Sequence, residues 1–221
     1  MQFLSSSVGR KVLMAISGFF MLFFVTVHLL GNSTIFIGPS TLNSYAEHLH
    51  SLGPLVWIFR IFMFLMLAVH LYFGITLTLE NNAANPSKYA KSSKLRSTFA
   101  SQTMIWTGLL ILGFLVYHLL QFTLRVTPDI MPAAVADRPG DVYGMVHGSF
   151  QIFTIALVYV AAMVTLFLHL SHGIQSLFQT VGCSNDNTLP KVTMVGKLVS
   201  VLFLVGYSAI PVFILAGILK K

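Results

Sequence analysis

The stretch LVWIFRIFMFLMLAVHLYFGITLTL, residues 55–79, decides the fold class. It holds one basic residue, Arg60, and no acidic residue, and a helix rising about 1.5 Å per residue over this length exceeds a bilayer's roughly 30 Å hydrocarbon core. We therefore predict a transmembrane helix. Similar apolar runs lie at about 12–31, 103–125, 148–175 and 195–218. Together they predict an all-α integral membrane protein: one domain, residues 1–221, with a bundle of five transmembrane helices, I to V.

The composition excludes most other classes of protein. Hydrophobic residues make up 56% of the chain and charged residues 9%, which is far more apolar than a soluble domain. The lone Cys183 excludes an internal disulfide, a cysteine-rich metal site and covalent haem attachment. The first apolar run follows Arg10 and Lys11 as a signal peptide would, but it lacks a small-residue cleavage site, so we interpret it as a retained anchor.

The basic residues predict the orientation. Eight of them fall before helix I, after helix II or after helix IV: Arg10, Lys11, Lys88, Lys91, Lys94, Arg96, Lys191 and Lys197. The other side has Arg60, Arg125, Arg138, Lys220 and Lys221, offset by Glu47, Asp129, Asp137 and Asp141. Because Lys and Arg are retained in cytoplasmic loops, we predict a cytoplasmic N-terminus and an external C-terminus. Topology accounts for the net charge of +7, so nucleic acid is not an expected partner.

Four histidines fall inside the predicted helices at two matched depths. Helices I and III run outward with His28 and His118 in their outer halves, whereas helices II and IV run inward and place His70 and His169 toward the cytoplasmic side. Ionisable side chains inside a membrane are costly and usually functional. We name His28 and His118 the outer pair and His70 and His169 the inner pair, and expect the two levels to lie roughly 15 to 20 Å apart.

Each pair has the ligands that a b-type haem requires. Two imidazoles from facing helices fill both axial positions, so that the iron carries electrons and does not bind oxygen. Gly74 and Gly173 lie one turn after the inner ligands, in the shared pattern H-x-x-x-G, and are expected to give a flat macrocycle room, as is Gly31 after His28. In the competing interpretation the histidines only form hydrogen bonds between helices. Their occurrence on four successive helices at two depths favours two haems enclosed by the five-helix bundle.

Several short motifs resemble one family. They are SSVGRK at 6–11, HLLGN at 28–32, YAE at 45–47 with HSLGP at 50–54, and HLSHG at 169–173. Together they resemble the cytochrome b558 membrane subunit of succinate:quinone oxidoreductases over nearly the whole chain. The family's haem ligands fall on the four histidines, outer paired with outer and inner with inner. Some members carry a glutamate two residues before the fourth ligand; Phe167 stands there, so no proton route through that carboxylate is expected.

The resemblance implies the function and the partners. It implies a dihaem anchor in a bacterial inner membrane that binds a flavoprotein subunit with FAD and an iron-sulfur subunit on its cytoplasmic side. Electrons would pass between the iron-sulfur subunit and membrane quinone, expected to be menaquinone, in a succinate dehydrogenase or fumarate reductase. The chain has no dinucleotide-binding fingerprint and no cluster-binding cysteines, so FAD, the clusters and the dicarboxylate chemistry belong to the partners.

Two other functions stay open. One is the cytochrome b of a membrane hydrogenase or formate dehydrogenase, which the ligand spacing and the loop motif disfavour. The other is a transporter whose histidines relay protons or bind a metal cation, which the lack of carboxylates within the spans disfavours.

Glu47, in the predicted outer loop between helices I and II, is the candidate catalytic base. Quinol oxidation releases protons, and a carboxylate near the outer haem could accept one. The family places a functional glutamate in this loop, whereas the alternative is a solvated loop acid. We interpret His48, His50, His147 and His172 as interfacial or hydrogen-bonding residues.

Overall fold

The computed structural model describes residues 6–84, 98–126 and 140–220, and these residues are helical with no strand. Among the described residues, five helices are long and apolar enough to span a membrane, which confirms the predicted all-α class with five apolar helices. They are helix I, Ser7–Asn32, continued by the 3-10 turn Ser33–Phe36; helix II, Pro54–Ala83; helix III, Met104–His118, continued by the π-helical turn Leu119–Thr123; helix IV, Phe153–Thr180; and helix V, Leu189–Leu215. The short helix Phe99–Gln102 precedes helix III. Several residues of the predicted loops lie outside the described residues: Lys88, Lys91, Lys94, Arg96, Asp129, Asp137, Arg138 and Lys221.

Polar contacts identify the two ends of the bundle. At one end Arg10 and Glu80 form an ion pair that links the start of helix I to the end of helix II. At the other end the Tyr143 hydroxyl donates to the Lys220 carbonyl oxygen at 2.8 Å and so ties the segment before helix IV to the residues after helix V. The chain therefore alternates direction from helix to helix. We call the end with Arg10 the inner end and the other the outer end, after the predicted orientation.

The connection between helices I and II is a helix and not the predicted loop. Pro39–Ser51 forms three turns that begin at a proline, whose fixed φ suits the first helical position. Leu42 and Ala46, four residues apart, are buried along one side, while most of the other side chains are exposed. Gly38 and Gly53, with φ of 145° and 53°, reverse the chain at the two ends. A short amphipathic helix has little net hydropathy, so a pattern of long apolar runs does not predict it.

Helix IV begins later than predicted. Residues 148–150 belong to a separate helix, Val142–Phe150, and Ile152 is extended before helix IV starts at Phe153. Every residue from Tyr143 to Phe150 is buried, so this short helix packs into the outer end of the bundle. Apolar residues continue through both helices, and hydropathy alone could not show the break between them. The predicted span 148–175 is therefore corrected to Phe153–Thr180.

The packing arranges helices I to IV as a ring. Helix I packs against II, II meets III narrowly, III packs against IV, and IV against I, while helix V lies mainly against IV. The two diagonals, I with III and II with IV, make at most marginal backbone contact. A buried apolar cluster fills the outer end of the bundle, formed by Ile35, Leu42, Tyr143, Val146, Phe150, Ile155, Tyr159, Ile210 and Ile214.

Candidate functional site

The structure brings the four predicted histidines together as two pairs. The ring centres of His28 and His118 lie 5.9 Å apart with their planes at 88°, and those of His70 and His169 lie 6.3 Å apart with their planes at 62°. All four side chains are half-buried. Each pair joins the two helices of one diagonal, so the imidazoles approach each other across the centre of the bundle formed by helices I to IV.

The spacing within each pair suits two ligands on one metal. A histidine nitrogen lies about 2 Å from a metal it binds and its ring centre about 1.1 Å farther away, so two axial imidazoles have ring centres about 6 Å apart. Both pairs have this separation. The diagonal helices make at most marginal backbone contact, so it is the imidazoles that meet across each diagonal.

The three glycines that were expected to make room for a macrocycle, Gly31, Gly74 and Gly173, differ in their surroundings. A Cβ built on Gly74 or Gly173 would meet no atom within 4 Å, as expected for positions beside open space. A Cβ built on Gly31 would instead overlap the ring of Tyr45. Gly31 therefore lets Tyr45 of the Pro39–Ser51 helix approach helix I, and its expected role beside a macrocycle is wrong.

The inner pair is held by hydrogen bonds to the neighbouring odd-numbered helices. His70 Nδ1 donates to the Met14 carbonyl oxygen on helix I at 3.2 Å. His169 Nδ1 lies 3.1 Å from the hydroxyl of Thr107 on helix III, whose own proton is directed at the carbonyls of Thr103 and Met104. The Thr107 oxygen therefore accepts from His169. In this hydrogen-bonding pattern the ring proton of each histidine lies on Nδ1, which leaves Nε2 with a free lone pair, as metal-binding histidines require.

Two glycines that the sequence analysis did not single out lie against the inner pair. A Cβ on Gly18 would stand 3.3 Å from His70 Cε1, and one on Gly108 would stand 3.4 Å from His169 Cε1. Each glycine precedes a histidine of the outer pair, His28 or His118, by ten residues on the same helix, which places the two levels about 15 Å apart. Helices I and III thus each carry a histidine of the outer pair and leave space for a histidine of the inner pair.

This arrangement exposes a repeat between helices I and III. Residues 14–28, MAISGFFMLFFVTVH, and residues 104–118, MIWTGLLILGFLVYH, share the pattern M-x-x-[ST]-G-x5-F-x3-H. Ser17 and Thr107, the hydroxyl residues of the pattern, are buried and donate to the carbonyls three and four residues earlier. Helices II and IV share the pattern H-x-x-x-G, at residues 70–74 and 169–173. Helices I with II and III with IV are therefore equivalent hairpins, and each hairpin contributes one histidine to each pair.

Aromatic rings surround the outer pair. Phe24 stacks on His28 at 5.3 Å, and Phe114, its counterpart in the repeat, lies 5.9 Å from His118. Phe122 and Tyr159 stand 5.6 and 5.9 Å from the His118 ring. The outer pair is thus enclosed by rings, and the buried helix Val142–Phe150 closes this end of the bundle through contacts of Phe150 with Phe122 and Tyr159.

A chain of side-chain hydrogen bonds ends at the outer pair. His118 Nδ1 lies 3.2 Å from the Tyr159 hydroxyl, which donates its proton to Gln121 Oε1 at 2.8 Å. The Tyr159 oxygen therefore accepts from Nδ1, and Nε2 of His118 is free, as it is in the inner pair. Gln121 and Tyr159 were not among the predicted site residues, because nothing in the sequence shows that they meet.

The other predicted residues lie apart from the two pairs. Glu47 and His48 are on the exposed side of the Pro39–Ser51 helix, and His50 Nδ1 donates to the Ala46 carbonyl oxygen. His147, expected at an interface, is buried and its Nε2 donates to the Leu219 carbonyl oxygen at 3.1 Å. His172 is half-buried one turn beyond His169. None of these side chains joins the pairs.

A cavity of about 340 Å³ lies at the inner end, between helices I and IV. Val8, Lys11 and Met14 line it from helix I, and Ser176, Gln179 and Thr180 line it from helix IV. Met14, whose carbonyl accepts from His70, is part of this lining, whereas His70 and His169 are not. The lining mixes apolar and polar side chains and includes one cation, Lys11.

Within the described residues, no group of three or more His, Cys, Asp or Glu side chains comes together as a metal site. The histidines meet as isolated pairs. Comparison of the chain with protein-family profiles, curated proteins and solved structures finds no match.

Proposed function

We propose that this chain is the dihaem cytochrome b subunit of a succinate:quinone oxidoreductase, a succinate dehydrogenase or fumarate reductase. It would anchor a flavoprotein and an iron-sulfur subunit and carry electrons between the latter and membrane quinone, menaquinone being the expected species. The observation that supports this most is that the outer and inner pairs each place two imidazoles about 6 Å apart, the separation of two ligands on one metal. In three of the four rings Nδ1 is also engaged, which frees Nε2.

Two imidazoles suit haem better than a bare ion. A zinc or copper ion needs three or four protein ligands, and the described residues supply only pairs. Porphyrin provides four nitrogens to its iron, so two axial histidines complete the coordination. When bound, two such haems supply one-electron carriers at two depths of the membrane. The same count of ligands disfavours a metal transporter.

The inner cavity has side chains that fit the polar edge of a haem. Haem carries two carboxylates, and Lys11 with the hydroxyls of Ser176 and Thr180 offers a cation and hydrogen-bond donors in the lining. His70 and His169 would hold the inner haem, and these side chains would neutralise its carboxylates.

The basic inner end is the proposed docking face for the iron-sulfur subunit. Arg10, Lys11, Lys191 and Lys197 lie at this end among the described residues, and they would steer an acidic partner. The proposal requires the inner end to be cytoplasmic. Cys183 tests this directly, because the single cysteine is exposed just after helix IV at that end. A membrane-impermeant maleimide should label it in inverted vesicles and not in intact cells; labelling in intact cells would reject the orientation and the interface.

Glu47 remains the proposed quinol-site base. Its carboxylate is exposed on the Pro39–Ser51 helix, at the end of the bundle that holds the outer pair. Glu47→Gln should abolish electron transfer with quinol while both haems stay bound and the partner subunits still oxidise succinate with artificial acceptors. Normal quinol activity in this variant would reject the role and turn attention to His48, His50 or Arg60.

The whole proposal is tested by purifying the full chain from membranes. We expect a reduced-minus-oxidised spectrum with b-type bands, two haems per chain, and copurifying subunits that contain FAD and iron-sulfur clusters. Haem with a different copurifying enzyme would favour the hydrogenase or formate dehydrogenase alternative. Absence of haem from protein made with ample haem supply would reject the function.

A further inference from the structure

Tyr159 and Gln121 stand behind one ligand of the outer pair and touch neither the other ligand nor the inner pair. Tyr159 is 8% exposed and accepts from His118 Nδ1. Gln121 is fully buried and accepts the Tyr159 proton through Oε1. It belongs to the π-helical turn Leu119–Thr123 directly after His118, and such turns inside α-helices are frequent at functional sites.

The direction of the hydrogen bonds from His118 through Tyr159 to Gln121 determines which nitrogen of His118 is available to bind a metal. With Gln121 Oε1 accepting, the Tyr159 oxygen accepts from Nδ1 and Nε2 stays unprotonated. The reverse orientation of the amide would turn the Tyr159 proton toward Nδ1 and put the ring proton on Nε2, where it would block a metal. The orientation in the structure leaves Gln121 Nε2 without a partner among the described residues. An unpaired buried donor costs free energy that the reverse orientation would save, so the redox test below decides between the two orientations.

The chain of hydrogen bonds breaks the repeat between the two hairpins. Tyr159 lies ten residues before His169, and the equivalent position before His70 is Arg60, whose guanidinium lies over the Trp57 ring at 5.0 Å. Gln121 lies three residues after His118, and its counterpart after His28 is Gly31. The repeat therefore supplies equivalent ligands and equivalent glycines, but only the second hairpin supplies this hydrogen-bonded support.

We infer that Tyr159 and Gln121 are positioning residues that fix His118 as an Nδ1-protonated, electron-rich ligand and lower the reduction potential of the outer haem. The inference rests on the proposed function. An acceptor on Nδ1–H makes the opposite nitrogen more basic, and a more basic axial ligand stabilises the oxidised iron. Gln121 strengthens the effect because its oxygen polarises the Tyr159 hydroxyl.

The test is a redox titration of the two haems in the full purified chain and its variants. Tyr159→Phe should raise the potential of one haem and leave the other unchanged. We expect about a tenfold change in its ratio of oxidised to reduced forms at fixed potential, which is about 59 mV for one electron. Gln121→Leu should move the same haem in the same direction by less, because the Tyr159 oxygen remains.

Two matched variants separate positioning from general disturbance. Tyr207→Phe removes another buried hydroxyl beside the outer pair, but that hydroxyl donates to the Val25 carbonyl oxygen and not to a ligand, so neither potential should move. Thr107→Val removes the acceptor of His169 and should shift only the other haem.

The outcomes distinguish this inference from the proposed function. If the wild-type chain holds no haem, the proposed function fails. If two haems are bound and Tyr159→Phe leaves both potentials unchanged, or if Tyr207→Phe shifts the same haem equally, the inference is overturned alone. Should Tyr159→Phe fail to retain the outer haem, Gln121→Leu decides: a bound haem with an unshifted potential overturns the inference, and an upward shift supports it.

Discussion

The outer and inner pairs each consist of two imidazoles at similar spacing, but their surroundings are built differently. The outer pair lies among aromatic rings, is supported by Tyr159 and Gln121, and is closed off by the buried helix Val142–Phe150. The inner pair rests on backbone and small residues: Gly18 and Gly108 in contact, and the Met14 carbonyl as acceptor. Met14 also lines the cavity between helices I and IV, together with Lys11.

The difference indicates separate tasks for the two ends. Close contact with helix backbones fixes His70 and His169 without large side chains, and the cavity lined by Lys11 lies at the inner end, where the proposed partner would dock. The outer pair is enclosed by side chains and by the Val142–Phe150 helix. Because two of those side chains, Tyr159 and Gln121, are hydrogen-bonded to His118 directly or in sequence, a single substitution there changes the polarity around the pair. Variants should therefore affect the inner site mainly through space and the outer site mainly through hydrogen bonds and packing.

The largest expected effect follows removal of a ligand. His169→Leu should leave the inner iron with one protein ligand and reduce the haem content from two to one per chain. His48→Leu, an exposed histidine outside both pairs, is the control and should keep two. Haem content is measured by the pyridine haemochrome assay. Two haems in His169→Leu would remove that residue from the ligand set.

Filling the space beside the inner pair should have the next largest effect. Gly108→Leu would push on the His169 ring and should lower the occupancy of the inner haem severalfold, while the outer haem stays. Gly113→Leu, on the exposed side of the same helix with no atom near its Cβ, is the matched control and should bind two haems. Equal loss in the two variants would show that bulk on helix III, and not the ligand contact, is responsible.

The capping of the outer end can be weakened separately. Asn43 donates to Asp141 and accepts from the Tyr143 amide, so Asn43→Ala should cost about 1–3 kcal/mol of stability and release the outer haem at a lower temperature. Burial also raises the pKa of the Tyr143 phenol, which keeps it a donor to Lys220 at all physiological pH values. Thermal melting in detergent is the measurement, with Ser44→Ala on the exposed side of the same helix as control. An unchanged release temperature of the outer haem would show that the Val142–Phe150 helix does not stabilise the outer site.

The ion pair between Arg10 and Glu80 should contribute least. Glu80 is 45% exposed, and solvent screening limits such a pair to about 0–1 kcal/mol. A double-mutant cycle with Arg10→Gln and Glu80→Gln should give a coupling energy in that range, with both haems retained. A coupling of several kcal/mol would mean that the inner end is more rigidly built than its open cavity indicates.

The sequence predicted the features that depend on long apolar runs and on depth. Five spanning helices and the meeting of His28 with His118 and of His70 with His169 follow from counting residues along alternating helices. The repeat M-x-x-[ST]-G-x5-F-x3-H was also present in the sequence, and aligning helices I and III on their histidines would have revealed Gly18 and Gly108.

Features that depend on tertiary packing could not be predicted in this way. The Pro39–Ser51 helix is too short and too polar for a hydropathy search, and the break at Ile152 lies inside a continuous apolar run. The contact of Tyr159 with Gln121 joins residues 38 positions apart across two helices, and only the rotation of those helices about their axes decides whether they face each other.

The central claim is that the diagonal pairs are two separate ligand sets, and haem counting in two double variants tests it most directly. His28→Leu with His118→Leu removes both ligands of one set, so one haem per chain should remain, with the potential of the inner haem. His28→Leu with His70→Leu removes one ligand from each set, so no stably bound haem should remain. A retained haem in the second variant, or loss of both in the first with the chain still folded, would contradict the assignment.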